Sequence, residues 1–143
     1  RNVLLKRPNL DAGDVNRRFE QMIKAMPEAM LDAPAPELVA AMTNDPQDRH
    51  VLAAAVSIRA EVIVTENVRH FKPEACQAHG VEALTLDQFV SDLISLDLLE
   101  VWQAIEAMAR RRQRPPETPR DICEALEQYI PQSLAVLRQQ GLY

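Results

Sequence analysis

The 143-residue sequence has few of the residues that several common functional sites require. Three glycines exclude a glycine-rich phosphate-binding loop. Aromatic residues make up only 4% of the chain, so aliphatic side chains and alanine-rich helix packing must form most of the core. The length and a hydrophobic content of 47% are enough for one domain of ordinary size. No apolar run approaches the roughly 20 residues of a membrane span, and we expect no membrane partner.

Cysteine and positive charge are also scarce. Cys76 and Cys123 lie far apart and show no metal-ligand spacing. Both fall in predicted amphipathic helices, which favours buried apolar packing over a disulfide and fits a cytoplasmic protein. The net charge of −5 argues against general affinity for nucleic acid. A local basic patch could still bind a phosphate backbone, and acidic residues could gather around a cation.

Residues 44–71 combine helix signals, strand signals and chemically useful side chains. Asp45 and Pro46 predict a helix N-cap followed by proline at the first helical position, with Asp48 in the first turn. This helix is predicted to stop near Ala60. Its apolar face is predicted to contain Val51, Leu52, Ala55 and Ile58. The apolar run Val62-Ile63-Val64 follows and is typical of a buried parallel strand.

The polar residues after this strand are predicted to meet the start of the helix. A helix followed directly by a strand runs antiparallel to it, so the helix N-terminus and the strand C-terminus lie at one edge of the sheet, where ligands bind in open α/β sheets. This topology brings Asp48, Thr65 and Asn67 together. Such oxygen ligands suit Mg²⁺, which can orient water for attack on a phosphodiester. The alternative is that Asp45 and Asp48 only cap a helix.

The remaining polar residues give no competing site. The three histidines show no zinc-binding spacing, and His70 and His79 are predicted to lie in loops or at helix ends. No serine has the glycine context of a nucleophile elbow.

Helices are predicted over most of the rest of the chain. Arg1–Arg7 reads as the end of a helix broken at Pro8, and a second helix runs from Val15 to Met26. Residues 38–42 fit either a short helix or an extended segment. A short helix from Pro73 to Gly80 precedes a second strand at residues 81–84, and this order predicts parallel pairing through a right-handed crossover.

The last third is predicted to be entirely helical. A capping box at Thr85 and Gln88 opens a helix. A long amphipathic helix follows, with Leu96, Leu99, Trp102, Ile105 and Ala109 on one face. Thr118 is predicted to cap a further helix that is broken at Pro131, before a short last helix. We therefore place a boundary between an α/β part, residues 1–94, and a helical extension, residues 95–143.

Two motifs within residues 44–71 resemble those of a known family. Residues 45–55 read DPQDRHVLAAA, and residues 62–71 read VIVTENVRHF. They resemble the second half of PIN-domain nucleases, and in particular the Vap-type toxin ribonucleases, whose signatures are D-P-x-D-R-H-V-x-A-A-A and V-T-x-N-x-x-D-F. The resemblance extends over roughly residues 15–94 and, more weakly, over the helical extension. It departs from the family at His70, where the second signature has aspartate.

The resemblance implies a metal-dependent endoribonuclease with a small parallel sheet. By position, Asp48 matches a metal-binding carboxylate, and Asp45 matches the acidic residue before the helix. Thr65 and Asn67 match the pair that follows the fourth strand and are expected to position water or phosphate. Arg49 and Arg69 are expected to contact RNA. The implied cofactor is Mg²⁺ or Mn²⁺, and the implied partners are RNA and an antitoxin.

The resemblance also implies that the family's first strand and its first two acidic residues precede Arg1. We therefore expect the chain to be a fragment of a PIN-like fold that lacks its first strand and part of the acidic site, with the nuclease activity belonging to the full-length parent. Two alternatives remain open. One is a non-catalytic PIN remnant that serves as a protein-interaction module. The other is a homodimer or strand-exchanged oligomer that covers the exposed sheet edge.

Overall fold

The computed structural model describes residues 12–143 and contains two compact units, Arg1–Pro34 and Ala35–Tyr143. The helix predicted at residues 1–7 lies outside the described residues. In the first unit, α1 spans Ala12–Ala25 and is followed by a 3₁₀ turn at Pro27–Ala29. The second unit has the following helices and strands: α2 (Pro36–Ala41), α3 (Arg49–Ser57), β1 (Val62–Val64), α4 (Pro73–Cys76), β2 (Glu82–Leu84), α5 (Leu86–Leu96), α6 (Leu98–Arg111), α7 (Pro119–Leu126) and α8 (Pro131–Gln139).

The sequence left open whether residues 38–42 are helical or extended. In the structure, this segment is mostly helical. Pro36 occupies the first turn of α2, where its missing N–H group costs nothing and its fixed φ suits the helix. Met42 follows in extended conformation and is buried in the core.

Helix α3 begins three residues later than predicted, at Arg49 instead of Pro46. The Asp45 side chain accepts a hydrogen bond from the Gln47 N–H at 3.0 Å, and the Asp48 N–H donates to the Asp45 carbonyl oxygen at 2.9 Å. These bonds close a turn, so the helix starts at Arg49 with Asp48 as its N-cap residue. The prediction that Asp45 caps the helix was therefore wrong, because its carboxylate stabilises the preceding turn instead.

The C-terminus of α3 is closed by a left-handed residue. Arg59 has φ of 57°, the Ala60 N–H donates to the Ala55 carbonyl oxygen, and the Arg59 N–H donates to that of Val56. This is the hydrogen-bond pattern of a Schellman motif. Because the helix ends at Ser57, Ile58 lies in the terminating turn and is 50% exposed, so its predicted core position was wrong. The buried residues of α3 are Leu52, Ala53 and Ala55.

The two predicted strands pair in parallel, with Val62 opposite Glu82 and Val64 opposite Leu84. This confirms the α/β class. Successive side chains point to opposite faces of a strand, and within β1 only Ile63 is fully buried. The expectation that the whole apolar run is buried was therefore wrong at Val64, which is largely exposed.

The second unit contains two hydrophobic clusters. The first joins α2, α3, β1 and β2 around Leu52 and Phe71, and the second joins helices α5 to α8 around Leu134. Cys76 lies in the first cluster and Cys123 in the second, so both are buried free thiols, as predicted. Burial raises the pKa of both thiols. None of the helices in residues 12–143 is long and apolar enough to cross a membrane.

The long amphipathic helix predicted from Leu96 is divided at Asp97. The Asp97 carboxylate accepts a hydrogen bond from the Glu100 N–H at 3.0 Å and caps α6. Leu96 therefore ends the preceding helix and is 83% exposed, and Leu99 is also exposed. Ile105 and Ala109 are buried as predicted. The predicted capping box at Thr85 is present, and the predicted cap at Thr118 also forms a capping box, with Asp121 as its partner.

Helix α5 links the sheet to the helical bundle, because it packs against β2 and against both α6 and α8. The link includes the Asp87 carboxylate, which accepts hydrogen bonds from the Gln132 and Ser133 N–H groups, each at 2.9 Å, and from the Ser133 hydroxyl at 2.6 Å. A side chain from α5 thus caps the N-terminus of α8, whose own N-cap residue supplies no side-chain bond. The predicted boundary at residue 94 falls within α5 and stays a prediction.

We expect the substitution Asp87→Ala to lower the free energy of unfolding by about 2 kcal/mol, because it removes a helix cap and leaves the N–H groups of Gln132 and Ser133 without their acceptor. Burial raises the pKa of Asp87, but the hydrogen bonds from Ser133 and Gln132 outweigh it and hold the pKa below its usual value. The stabilisation is therefore present above about pH 4 and is lost as the pH falls through the folded-state pKa. Denaturant unfolding at pH 7 and pH 3 measures both effects.

The matched control is Asp92→Ala, which removes an exposed carboxylate from the same helix. We expect it to change the unfolding free energy by less than about 0.5 kcal/mol at either pH. Equal effects of the two substitutions would contradict the proposed capping role of Asp87.

A candidate metal centre at the edge of the sheet

Two chain segments meet at the carboxyl end of β1. The first is the turn before α3, and the second is the 3₁₀ turn Val68–His70 that follows the strand. The Asp45 N–H donates a hydrogen bond to the His70 carbonyl oxygen at 3.2 Å, which ties the two segments together. Phe71 is buried in the first hydrophobic cluster and fixes the end of the 3₁₀ turn. Backbone pairing and core packing therefore set the positions of the polar side chains in both segments.

Asp45, Asp48 and His70 form a compact cluster of possible metal ligands. The His70 Nδ1 atom lies 2.7 Å from Asp48 Oδ2 and 3.9 Å from Asp45 Oδ1. One ligand atom from each residue lies within 4.8 Å of the other two, and all three residues are partly buried. Such a group can bind a divalent cation through two carboxylate oxygens and one imidazole nitrogen.

Asn67 lies against two members of this cluster. Its amide nitrogen is 3.4 Å from Asp48 Oδ2 and 2.7 Å from His70 Nδ1. Its amide oxygen accepts a hydrogen bond from Arg69 Nε at 3.0 Å, which fixes the orientation of the amide. The predicted proximity of Asp48 and Asn67, which are 19 residues apart, is therefore present in the structure.

Thr65 has an indirect role in this arrangement. Its hydroxyl oxygen accepts a hydrogen bond from the Asn67 N–H at 3.1 Å, and its own N–H donates to the Leu84 carbonyl oxygen at 2.8 Å. Thr65 thus joins the end of β2 to the turn that carries Asn67. The structure shows no hydrogen bond between the side chains of Thr65 and Asp48 within residues 12–143.

A cavity of about 400 Å³ opens beside the cluster, and its walls include Asp45 and His70. Three cationic side chains, Arg49, Arg69 and Lys72, also line it, together with the carboxylate of Glu74. Arg49 Nε donates a weak hydrogen bond to the Asn44 carbonyl oxygen at 3.4 Å. A larger cavity, of about 880 Å³, lies beside β1 and α4 and is also bordered by Arg69 and Lys72, but it contains none of the clustered ligands.

Asn44 is the one buried side chain of residues 12–143 whose polar atoms lack partners. It lines the smaller cavity and is only 5% exposed, yet neither its amide nitrogen nor its amide oxygen has a hydrogen-bond partner in the described part of the chain. A buried polar group without partners costs about 1–3 kcal/mol, which is why such groups are rare.

Two residues of the site were missed in the sequence. His70 was assigned to a loop without a role, although it stands where the resembling signature has an aspartate. That correspondence was the available signal. Asn44 precedes the motif and gave no signal, because its burial depends on the tertiary fold.

The fold and the site define an α/β protein that has a cluster of two carboxylates and one histidine at the carboxyl edge of a parallel strand pair, next to a cavity lined by three cationic side chains. This arrangement can bind a divalent cation and, beside it, an anion such as a phosphate group. Comparison with known proteins shows which family of proteins this chain resembles.

Residues 86–139 match the family described as the VapC50 C-terminal domain. The chain is also 42% identical over 103 residues to the protein named Putative ribonuclease VapC50 of Mycobacterium tuberculosis (strain ATCC 25618 / H37Rv). That alignment spans 72% of this chain and 61% of the relative, so the chain corresponds to less than two thirds of the relative's length. No solved structure matches the chain. Over the matched residues the chain is similar to VapC50, which confirms the resemblance to the Vap-type family.

Proposed function

We propose that this protein is a metal-dependent endoribonuclease of the PIN-like class, acting in the cytoplasm as the toxin of a toxin–antitoxin pair. The observation that carries the proposal is the meeting of Asp45, Asp48 and His70 within 4.8 Å at the edge of the sheet. The similarity to a relative named as a ribonuclease supports RNA as the substrate.

The residues present fit a divalent cation, and we propose Mg²⁺ or Mn²⁺. Asp48 and Asp45 would supply carboxylate oxygens, and His70 a ring nitrogen, so the cluster offers two negative charges to balance the charge of the cation. A bound cation supplies Lewis-acid activation of the scissile phosphate and of the attacking water.

Asn67 and Thr65 position this site. The Asn67 amide contacts both Asp48 and His70, and the Thr65 hydroxyl fixes the turn that holds Asn67. From this place Thr65 and Asn67 orient water or phosphate at the cluster. In this proposal Asn67 is the residue that contacts the water or phosphate, and Thr65 is a positioning residue that acts through Asn67.

The cationic side chains of the cavity bind the RNA backbone in this proposal. Arg49 and Arg69 line the same cavity as His70, and Lys72 adds a third positive charge. Phosphate contacts of this kind give affinity without sequence preference. They hold the scissile phosphate near the carboxylates, which a chain of net charge −5 would otherwise repel.

Removal of divalent cations tests the proposal. We expect cleavage of a single-stranded RNA substrate to fall to the uncatalysed level after treatment with EDTA and to return when Mg²⁺ or Mn²⁺ is added, because the water and phosphate then regain an activating cation. Cleavage is measured by gel electrophoresis of end-labelled RNA. Cleavage that EDTA does not affect would contradict a metal-dependent mechanism.

A second candidate function is protein interaction without catalysis, in which the helical part binds a partner such as an antitoxin or a second copy of the chain. The exposure of Leu96, Leu99 and Tyr129 in the helical part favours it. No cleavage with any divalent cation, together with a stable dimer or complex by light scattering, would favour this candidate over the nuclease.

A further inference from the structure

We infer that the cluster of Asp45, Asp48 and His70 prefers a first-row transition-metal ion, such as Mn²⁺ or Co²⁺, over Mg²⁺. This inference rests on the metal site of the proposed function and concerns its selectivity. It is carried by the ligand set, by the contacts of the His70 ring and by the buried amide of Asn44.

The ligand set includes a nitrogen atom. Mg²⁺ favours oxygen ligands and keeps several of its waters, whereas imidazole suits first-row transition metals. His70 Nδ1 is 2.7 Å from Asp48 Oδ2, so an ion that binds this carboxylate also meets the imidazole. A ring nitrogen at this position therefore raises the affinity for transition-metal ions more than the affinity for Mg²⁺.

The contacts of His70 Nδ1 cannot all be satisfied by the protein. This atom lies 2.7 Å from the Asp48 carboxylate, which is an acceptor, and 2.7 Å from the Asn67 amide nitrogen, which is a donor. A protonated Nδ1 donates to Asp48 but then faces the Asn67 donor, while an unprotonated Nδ1 accepts from Asn67 but then faces the Asp48 lone pairs. The bond from Arg69 to Asn67 Oδ1 prevents an amide flip from resolving the conflict.

A cation removes this conflict. His70 Nδ1 and Asp48 Oδ2 would both offer an electron pair to a bound cation instead of facing each other, and the Asn67 amide would still be able to donate to the carboxylate. The arrangement of Asp48 and Asn67 around His70 Nδ1 therefore fits a metal site with a nitrogen ligand better than it fits a hydrogen-bonded pair of His70 and Asp48.

The Asn44 amide points independently to a ligand at this place. It is nine-tenths or more buried and lines the cavity that also contains Asp45 and His70, and its two polar atoms have no partner among residues 12–143. The cost of such a group shows that packing within the described residues does not satisfy the polar atoms of this residue, which lies next to the cluster.

The test compares metal binding by the wild-type chain and by the variants His70→Asp and His70→Gln. Isothermal titration calorimetry with Co²⁺, Mn²⁺ and Mg²⁺ gives the affinities, and the visible absorption of bound Co²⁺ reports nitrogen coordination. We expect the wild-type chain to bind Co²⁺ and Mn²⁺ at least about tenfold more tightly than Mg²⁺, and both variants to lose about tenfold in Co²⁺ affinity. In His70→Asp we expect Mg²⁺ affinity to be kept or raised.

The matched control is His79→Asp, which makes the same change at an exposed histidine outside the cluster and is expected to bind all three ions like the wild type. Circular dichroism confirms that each variant is folded, and His70→Gln keeps a polar side chain if the added charge of His70→Asp disturbs the fold. Equal affinity of the wild type for Mg²⁺ and Co²⁺, unaffected by either His70 variant, would overturn the selectivity but leave the nuclease proposal standing. No binding of any of the ions would overturn both.

Discussion

The substitution Asp48→Ala is expected to lower RNA cleavage by roughly a hundredfold or more and to weaken divalent-metal binding in parallel. The physical reason is the central place of this carboxylate. Asp48 Oδ2 is the atom that both His70 and Asn67 approach, at 2.7 and 3.4 Å, so its removal takes away a ligand and releases two neighbouring side chains.

The fold should tolerate this change. Asp48 precedes α3, but its side chain makes no capping hydrogen bond, and the Val51 and Leu52 N–H groups donate to its backbone carbonyl oxygen, which alanine retains. Initial rates of RNA cleavage and calorimetric metal titrations are compared with those of the control Asp92→Ala, which removes an exposed carboxylate elsewhere. Wild-type rates in Asp48→Ala would refute its assignment to the catalytic site.

The largest loss of stability is expected for Leu134→Ala, at about 3 kcal/mol of unfolding free energy. Leu134 is 0% exposed in the cluster formed by helices α5 to α8, so the shorter side chain leaves a cavity that close packing cannot fill. Chemical denaturation monitored by the circular dichroism of the helices measures the change.

The same substitution at an exposed leucine provides the control. Leu99 is 62% exposed, and Leu99→Ala should change the unfolding free energy by less than about 0.5 kcal/mol. Similar losses for the two variants would mean that the bundle is not packed around Leu134 as the structure describes.

The local elements of the fold could be predicted because their causes are local. The capping box at Thr85 and the helix cap at Thr118 are each closed by a residue three positions away, and Pro119 begins a helix because proline has no N–H to leave unpaired. The two strands and their parallel pairing likewise followed from short apolar runs separated by a helical segment. These helix and strand signals depend only on residues close together in the sequence, so they can be recognised without knowing how the chain packs.

The predictions from the sequence were wrong or incomplete where a side chain had two possible hydrogen-bond partners. Asp45 could cap a helix or close a turn, and the turn formed because the Asp45 N–H is held by the His70 carbonyl oxygen from another segment. Asp87 was predicted only as part of a helix, yet its carboxylate caps α8, which begins more than 40 residues later. Only the approach of distant segments decides such choices, and the sequence does not show which segments approach.

The sequence by itself determined the α/β class, the position of the site at the carboxyl edge of β1, and the roles of Asp48 and Asn67 as neighbours across 19 residues. Helix and strand direction fix this much, because a helix and the strand after it must run in opposite directions. The tertiary structure alone decided that His70 completes the cluster and that Asn44 is buried beside it without partners. The reason is physical: burial of Phe71 and Met42 sets where those two polar residues lie, and core packing is a property of the whole fold.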